Sequence, residues 1–305
     1  MNNKFAVIGC LEETILTLNH MLRAGIKPQV IVGLSSKEAE RFEITNYVDL
    51  RPFCLKNKIE FAEVKTYSLS SVGDKKLLAD LKIAVLAVIG WQRLLPQEVI
   101  AGLGNCALGF HGSCNVLPWG RGRSPINWSI IEGRTRFLLH MFFITPGVDD
   151  GSIIGIQPYD INDSDNCRTV YYKTALSQAE LVIRYLPSVL AGTNVGSPQV
   201  GEAFYYQKRR PDDGRIDWSK PAGDICRLVR AVTKPYPGAF TMRENDKLVI
   251  WAAQPFSKDF FEKEIPGAIC FVSENAQKEV IVKCGDGSVL LTDYDGMFST
   301  GDILI

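Results

Sequence analysis

The sequence predicts an α/β fold class, with a doubly wound sheet followed by a small all-β barrel or sandwich. Three observations carry this. Short β-branched apolar runs alternate with helix-period segments through the first part of the chain. One of these runs, "IAVLAVIGW" (83–91), is apolar almost without interruption, as a strand buried on both faces of a parallel sheet must be. Beyond residue 200 several short strand-like runs follow one another with turn residues between them.

In chain order, "KFAVIGC" (4–10) and "QVIVGLS" (29–35) read as strands around the helical-period segment "EETILTLNHMLRAG" (12–25). A second helix-prone span precedes the strand "IEFAEVK" (59–65), and 83–91 follows as the central strand. The stretch after the first strand, "VIGCLEETIL", offers Gly9 alone where a dinucleotide fold needs GxGxxG, so NAD is not expected. The middle of the chain holds "GFHGSCNVLPWGRGRSPINW" (109–128), a helix-compatible "PINWSIIEG" (125–133), an apolar "RFLLHMFFIT" (136–145) and the turn "PGVDDGSIIG" (146–155). A polar, Gly- and Ser-containing stretch, 191–206, marks the domain boundary. After it come a polar turn segment (209–218), a short amphipathic helix (222–232) and strands near 247–253, 267–273, 279–285 and 288–294.

Composition narrows the function. A chain of 305 residues suits two domains at roughly 150 residues each. Lys+Arg and Asp+Glu are both 34, so no global charge favours a polyanion or an anionic membrane. No apolar run approaches the ~20 residues of a membrane span, and "MNNKFAVIGC" lacks the regions of a secretory leader; a cytoplasmic protein is expected. Eight cysteines are scattered singly without CxxC, which reads as reduced, mostly buried thiols and no metal.

Of three histidines, His20 lies in the first helix and His140 in an apolar run, where helix-face and core roles explain them. His111 instead follows "NCALGF", read as a strand ending at the carboxyl edge of the sheet, where open α/β sheets place ligands. Asp149 and Asp150 are plain turn residues, or one of them reaches back to His111 and fixes its tautomer. Arg121 and Arg123 form a solvated turn or meet a diphosphate or carboxylate. Trp91, Trp119 and Trp128 read as core residues or stacking faces, and Trp119, in a loop between Pro118 and Gly120, is the better placed to stack.

Together these blocks resemble the folate-dependent formyltransferases, and within them the sugar-nucleotide N-formyltransferase branch. "HGS", "LP" and "RGRSPINWSIIEG" are similar to the family's active-site loop and following helix, "PGVDDG" to the turn carrying its catalytic Asp, and "GWQRLLPQEV" (90–99) to the strand-end segment before them. "RRPDDGRIDWSKPAGDICRLVRAVTKPYPGAF" (209–240) looks like the second domain, an open barrel related to the OB fold, and leans toward the aminoarabinose-type enzyme. The resemblance implies a Rossmann-like catalytic domain over 1–200 and an OB-like domain over 201–305. It implies formyl transfer from N10-formyltetrahydrofolate, without a metal, to the primary amine of a UDP- or dTDP-linked amino sugar for surface polysaccharide, with pseudaminic-acid-like precursors among the acceptors. A small-molecule nucleotide sugar is then the partner, nucleic acid and membrane are not, and a homodimer stays open.

By the same resemblance His111 and Asp149 are catalytic, Trp91, Gln92, Leu94, Gly147 and Asp149 hold the folate, and Ser113, Trp119, Arg121, Arg123 and Tyr47 hold the sugar nucleotide. Gly109 stands where the family has an Asn, two residues before the His, and the loop reads "HGSCNVLP" with extra residues. Asn115 either supplies the missing amide or is an ordinary turn Asn. Methionyl-tRNA formyltransferase and a catalytically impaired folate- or sugar-binding homologue are the alternatives, the first disfavoured by the balanced charge.

Overall fold

A computed structural model describes residues 4–273 and 279–305; Met1–Asn3, the beginning of the stretch read for a leader, lie outside them. The residues gather into two compact units, one of 1–122, 136–160 and 171–206 and the other of 123–135, 161–170 and 207–305.

The first unit is built on strands β1 (Phe5–Ile8), β2 (Val30–Leu34), β3 (Glu60–Val64), β4 (Val85–Val88) and β5 (Cys106–Ser113). After the short strand β6 (Trp119–Gly122), strands β7 (Arg136–Phe143) and β8 (Ile153–Asp160) complete a seven-stranded sheet in the order β3-β2-β1-β4-β5-β7-β8. The first five strands run parallel, and β7 and β8 pair antiparallel. This is a doubly wound, Rossmann-like sheet whose order turns back beside β1. β1 and β2 are buried along their whole length, which is why they read as uninterrupted apolar runs. Each fully buried Val, Leu or Ile there contributes roughly 1.5–3 kcal/mol of transfer free energy.

Helix α1 (Glu12–Arg23) opens on Glu12 and closes on Arg23, charges that match the macrodipole, while Leu18 and Met21 face the core. Ser35 caps α2 (Ser36–Arg41) by accepting from the Glu38 N–H, and α3 (Arg51–Asn57) starts with Pro52 in its first turn. Ser71 caps α4 (Val72–Asp80), and α5 (Gln97–Ala101) leads into β5. The second unit takes in α6 (Pro125–Ile131) and the first residues of α7 (Cys167–Leu190), the longest helix, which continues in the first unit from Tyr171. Strand β9 (Phe204–Tyr206) pairs with β6 in a separate two-stranded parallel ribbon.

The rest of the second unit carries the amphipathic helix α8 (Ala222–Val232), with Ile225, Cys226, Val229 and Val232 buried. Strands β10 (Ala239–Arg243), β11 (Asp246–Ser257), β12 (Ile269–Val272), β13 (Val280–Cys284) and β14 (Gly287–Asp295) form one antiparallel sheet, ordered β10-β11-β14-β13-β12. The last residues join its two edges: Ile305 exchanges backbone bonds with Met242 of β10, and Asp302 and Leu304 bond to Ile269 and Gly267 at β12. An edge strand left open would present unpaired N–H and C=O groups, and this tail pairs them.

Candidate active site

His111 is not a loop residue: it lies within β5, opposite His140 of β7. Strand β5 pairs with β4 only as far as Leu108, so residues 109–113 extend past the carboxyl end of their parallel neighbour. The position at the sheet's carboxyl edge holds, because β7 supplies the strand partner that β4 no longer gives.

The ring of His111 is held at both nitrogens. Nε2 lies 2.8 Å from the Gly120 carbonyl oxygen and Nδ1 3.3 Å from Asp149 Oδ2. A carbonyl oxygen only accepts, so Nε2 carries its hydrogen and Nδ1 is the nitrogen that faces the carboxylate. The His111 side chain is 9% exposed and that of Asp149 22%, so the pair is shielded yet reachable. Gly120 has φ +86, a backbone that favours glycine, and a Cβ there would strike Ser113 Oγ. Asp149 itself has φ +51 in the β7–β8 turn. A non-glycine residue in that region is strained and persists where its surroundings over-determine it.

Below this pair sits His140, fully buried. Its Nδ1 lies 3.1 Å from the His111 carbonyl oxygen and its Nε2 receives the Leu117 N–H at 3.3 Å. The carbonyl only accepts and the amide only donates, which selects the neutral Nδ1–H tautomer. Burial pushes the His140 pKa down to about 4, with the nearby His111 charge acting the same way. His140 therefore ties the backbone under His111 to the loop that follows β5. His20 is a helix-face residue, 2.7 Å from Glu180 Oε1.

The other expected residues divide by location. Trp91 and Gln92 follow β4. Trp91 is buried edge-on to Tyr67 at 4.8 Å, its Nε1–H has no hydrogen-bond partner among the described residues, and Gln92 and Leu94 are exposed. Tyr47 donates to the Leu34 carbonyl at 2.8 Å, at the carboxyl end of β2, and its hydroxyl pKa is pushed up by burial to about 12. Gly147 and Asp150 share the Asp149 turn, where Thr145 Oγ1 donates to Asp150. Ser113 is fully buried; its hydroxyl donates to the Trp119 carbonyl at 2.8 Å and receives the Asn115 N–H at 3.3 Å, bracing its own loop. Asn115 is exposed, and no described hydrogen bond joins its side chain to His111 or Asp149. Trp119 stacks on Phe204 at 4.8 Å. Arg121 donates to Gln199 and Tyr205. Arg123 is exposed and belongs to the second unit, as does Trp128, whose ring lies under Arg209 and whose Nε1 donates to the Gln207 carbonyl.

Gly109 is explained by packing. A Cβ there would lie 2.7 Å from Phe142 Cζ and 3.0 Å from Ile144 Cγ1, so the space an Asn side chain would need is filled by β7 and the residue after it. Sequence reasoning passed over Gln199, whose amide holds the Asp149 turn, because its partners are backbone carbonyls distant in the chain.

Among the described residues no group of three or more His, Cys, Asp or Glu could hold a metal ion, and no helix is long and apolar enough to cross a membrane. A structure of HypX from Aquifex aeolicus in complex with tetrahydrofolic acid matches at TM-score 0.66 and 17% identity, covering 95% of this chain and 44% of its own. This chain thus spans under half the length of the HypX structures it matches. An N-formyltransferase from Helicobacter canadensis, in complex with folinic acid and dTDP-3-aminofucose, matches at TM-score 0.65 and 16% identity, over 96% of this chain and 99% of its own. Methionyl-tRNA formyltransferase from Clostridium thermocellum matches at TM-score 0.58 and 14% identity, over 97% and 99%. At these identities the likeness speaks for the fold. The family models carry more: "Formyl transferase" matches residues 52–186 and "Formyl transferase, C-terminal domain" residues 208–295, most of the chain between them. The chain belongs to the formyl transferase family.

Proposed function

We propose that the protein transfers a formyl group from N10-formyltetrahydrofolate to the primary amine of a nucleotide-linked amino sugar, with residues 1–200 as catalytic domain and 201–305 as OB-like domain. The observation that carries the reading is the His111–Asp149 pair, 3.3 Å apart at the sheet's carboxyl edge. Folate binding fits the donor set. The unpartnered Trp91 Nε1–H, exposed Leu94 and Val148, and the Gln92 side chain offer apolar surface and hydrogen-bond capacity to a pterin, with Gly147 and Asp149 in the turn that carries Val148. When bound, that cofactor supplies an activated formyl carbonyl.

The chain's own residues manage the proton. An amine that attacks a carbonyl must lose one; Asp149 Oδ2 with His111 Nδ1 forms an acceptor pair for it and would return it to the folate nitrogen as the formyl C–N bond breaks. The Gly120 carbonyl, bonded to Nε2–H, keeps the ring from rotating away. Half-buried Trp119, with the exposed Phe204 and Tyr205 beside it, gives an aromatic surface suited to a nucleotide base, and Arg121, bonded to Gln199 and Tyr205, is the cation of that same unit for a diphosphate; Arg123, in the second unit, is a separate exposed cation. Balanced charge favours this acceptor over a tRNA, whose phosphates would call for a basic face. The Helicobacter canadensis enzyme, with folinic acid and dTDP-3-aminofucose bound, supports both ligand classes, and UDP- and dTDP-sugars of surface polysaccharides are the first acceptors to test.

The test is a mass-spectrometric turnover assay with N10-formyltetrahydrofolate, UDP- and dTDP-linked 3-amino and 4-amino sugars, methionyl-tRNA and a no-acceptor control. One formyl-for-hydrogen gain on an amino sugar, abolished in His111→Ala, is expected. Formylation of methionyl-tRNA alone overturns the acceptor, and folate binding without turnover makes Gly109 the mark of a lost activity.

A further inference from the structure

Hydrogen bonds, the Gly120–Arg121 peptide link and the 3.3 Å His111–Asp149 contact together close a ring that includes a residue with no part in the proposed chemistry. Gln199 Nε2 donates to the carbonyl oxygens of Asp149, at 2.7 Å, and Gly151, at 2.9 Å. Its Oε1 receives Arg121 Nη2 at 2.6 Å and Nε at 3.2 Å, and Arg121 Nη1 donates to the Tyr205 hydroxyl at 3.2 Å. Carbonyls only accept and a guanidinium only donates, so the amide has one possible orientation. Arg121 directly follows Gly120, whose carbonyl holds His111 Nε2, and His111 Nδ1 returns the circuit to Asp149. The circuit clamps the one non-glycine residue of the site held at positive φ, Asp149 at +51, from its backbone side. The segment bearing Gln199 is itself anchored, since Ser197 and Ile153 exchange both backbone bonds.

We propose that Gln199, gripped by Arg121, is a positioning residue that sets the contact between Asp149 Oδ2 and His111 Nδ1. This rests on reading His111 and Asp149 as the catalytic pair. It also gives Arg121 a structural task, since three of its N–H donors are engaged within the protein.

Two readouts test it, and the first does not need turnover. With three histidines in the chain, the His111 ring nitrogens are assigned in a ¹⁵N spectrum by the signals lost in His111→Gln. In Gln199→Leu and in Gln199→Glu, which keeps the shape but replaces both donors by an acceptor, the Nδ1 signal should move while those of His140 stay. An unmoved Nδ1 in a folded variant overturns the proposal whatever the enzyme does. The second readout is kinetic: kcat falls roughly 10- to 100-fold, as expected for a slightly misplaced catalytic group, with KM values within about twofold. Unchanged kcat beside a dead His111→Ala likewise overturns the positioning role and leaves the functional reading standing; an inactive wild type with a shifted Nδ1 does the reverse. If Gln199→Leu fails to fold, Arg121→Met releases the amide from its other side and the same Nδ1 shift is expected.

Discussion

Acid should loosen the floor of this site through His140, and the size of the effect follows from its surroundings. The ring is fully buried and held neutral, with its pKa pushed from 6.5 down to about 4. A base whose folded pKa is depressed contributes stability that is complete above the unfolded value and is lost as pH falls toward the folded one. The whole shift corresponds to about 3 kcal/mol at 1.36 kcal/mol per unit, and at about pH 5 roughly 2 kcal/mol of it is already lost. Urea unfolding of wild type and His140→Gln at about pH 7.5 and pH 5 isolates the residue. The variant starts less stable by roughly 1–3 kcal/mol, because the Leu117 N–H and His111 carbonyl lose partners, but it should drop by about 2 kcal/mol less between the two pH values. Equal drops in both proteins refute the argument. A second proton on Nε2 would also face the Leu117 N–H, so formyl transfer should fall at acid pH before global unfolding does.

Glu13, in the first turn of α1, has its pKa raised by burial to about 7, so it costs stability as pH rises from about 4.5 to 7. Since the residue keeps part of its surface, Glu13→Gln should gain roughly 1–2 kcal/mol at pH 8 in the same unfolding assay, and nothing at pH 4. Restoring the family residue with Gly109→Asn should destabilise by about 1–3 kcal/mol, because Phe142 and Ile144 must move, and should not raise kcat. Asn115→Ala tests the exposed loop amide directly: unchanged kcat removes it from the chemistry, and a drop of 10²-fold or so would make it an oxyanion donor that reaches the pair only with ligand bound.

The sequence by itself determined the elements whose burial is two-sided or whose turns are chemically marked. Residues 5–8, 30–34 and 85–88 show their place at the sheet's centre because both faces of each strand must be apolar. The antiparallel second unit was likewise legible from short strands with turn residues between them. His111 and Asp149 stood out because a Gly-rich stretch holds few reasons for a histidine or a pair of aspartates. The long helix α7 was not read at all: its apolar residues are interleaved with Tyr, Lys and Gln, and Pro187 interrupts the helical signal. Only the tertiary structure decided that β5 continues through His111, since that extension exists through pairing with β7. It also decided that Phe142 fills the space at Gly109, that His140 is a neutral tie beneath the site, and that Gln199 holds the Asp149 turn. Each of these depends on groups dozens of residues apart meeting within hydrogen-bond or van der Waals range, and local periodicity carries no record of such meetings.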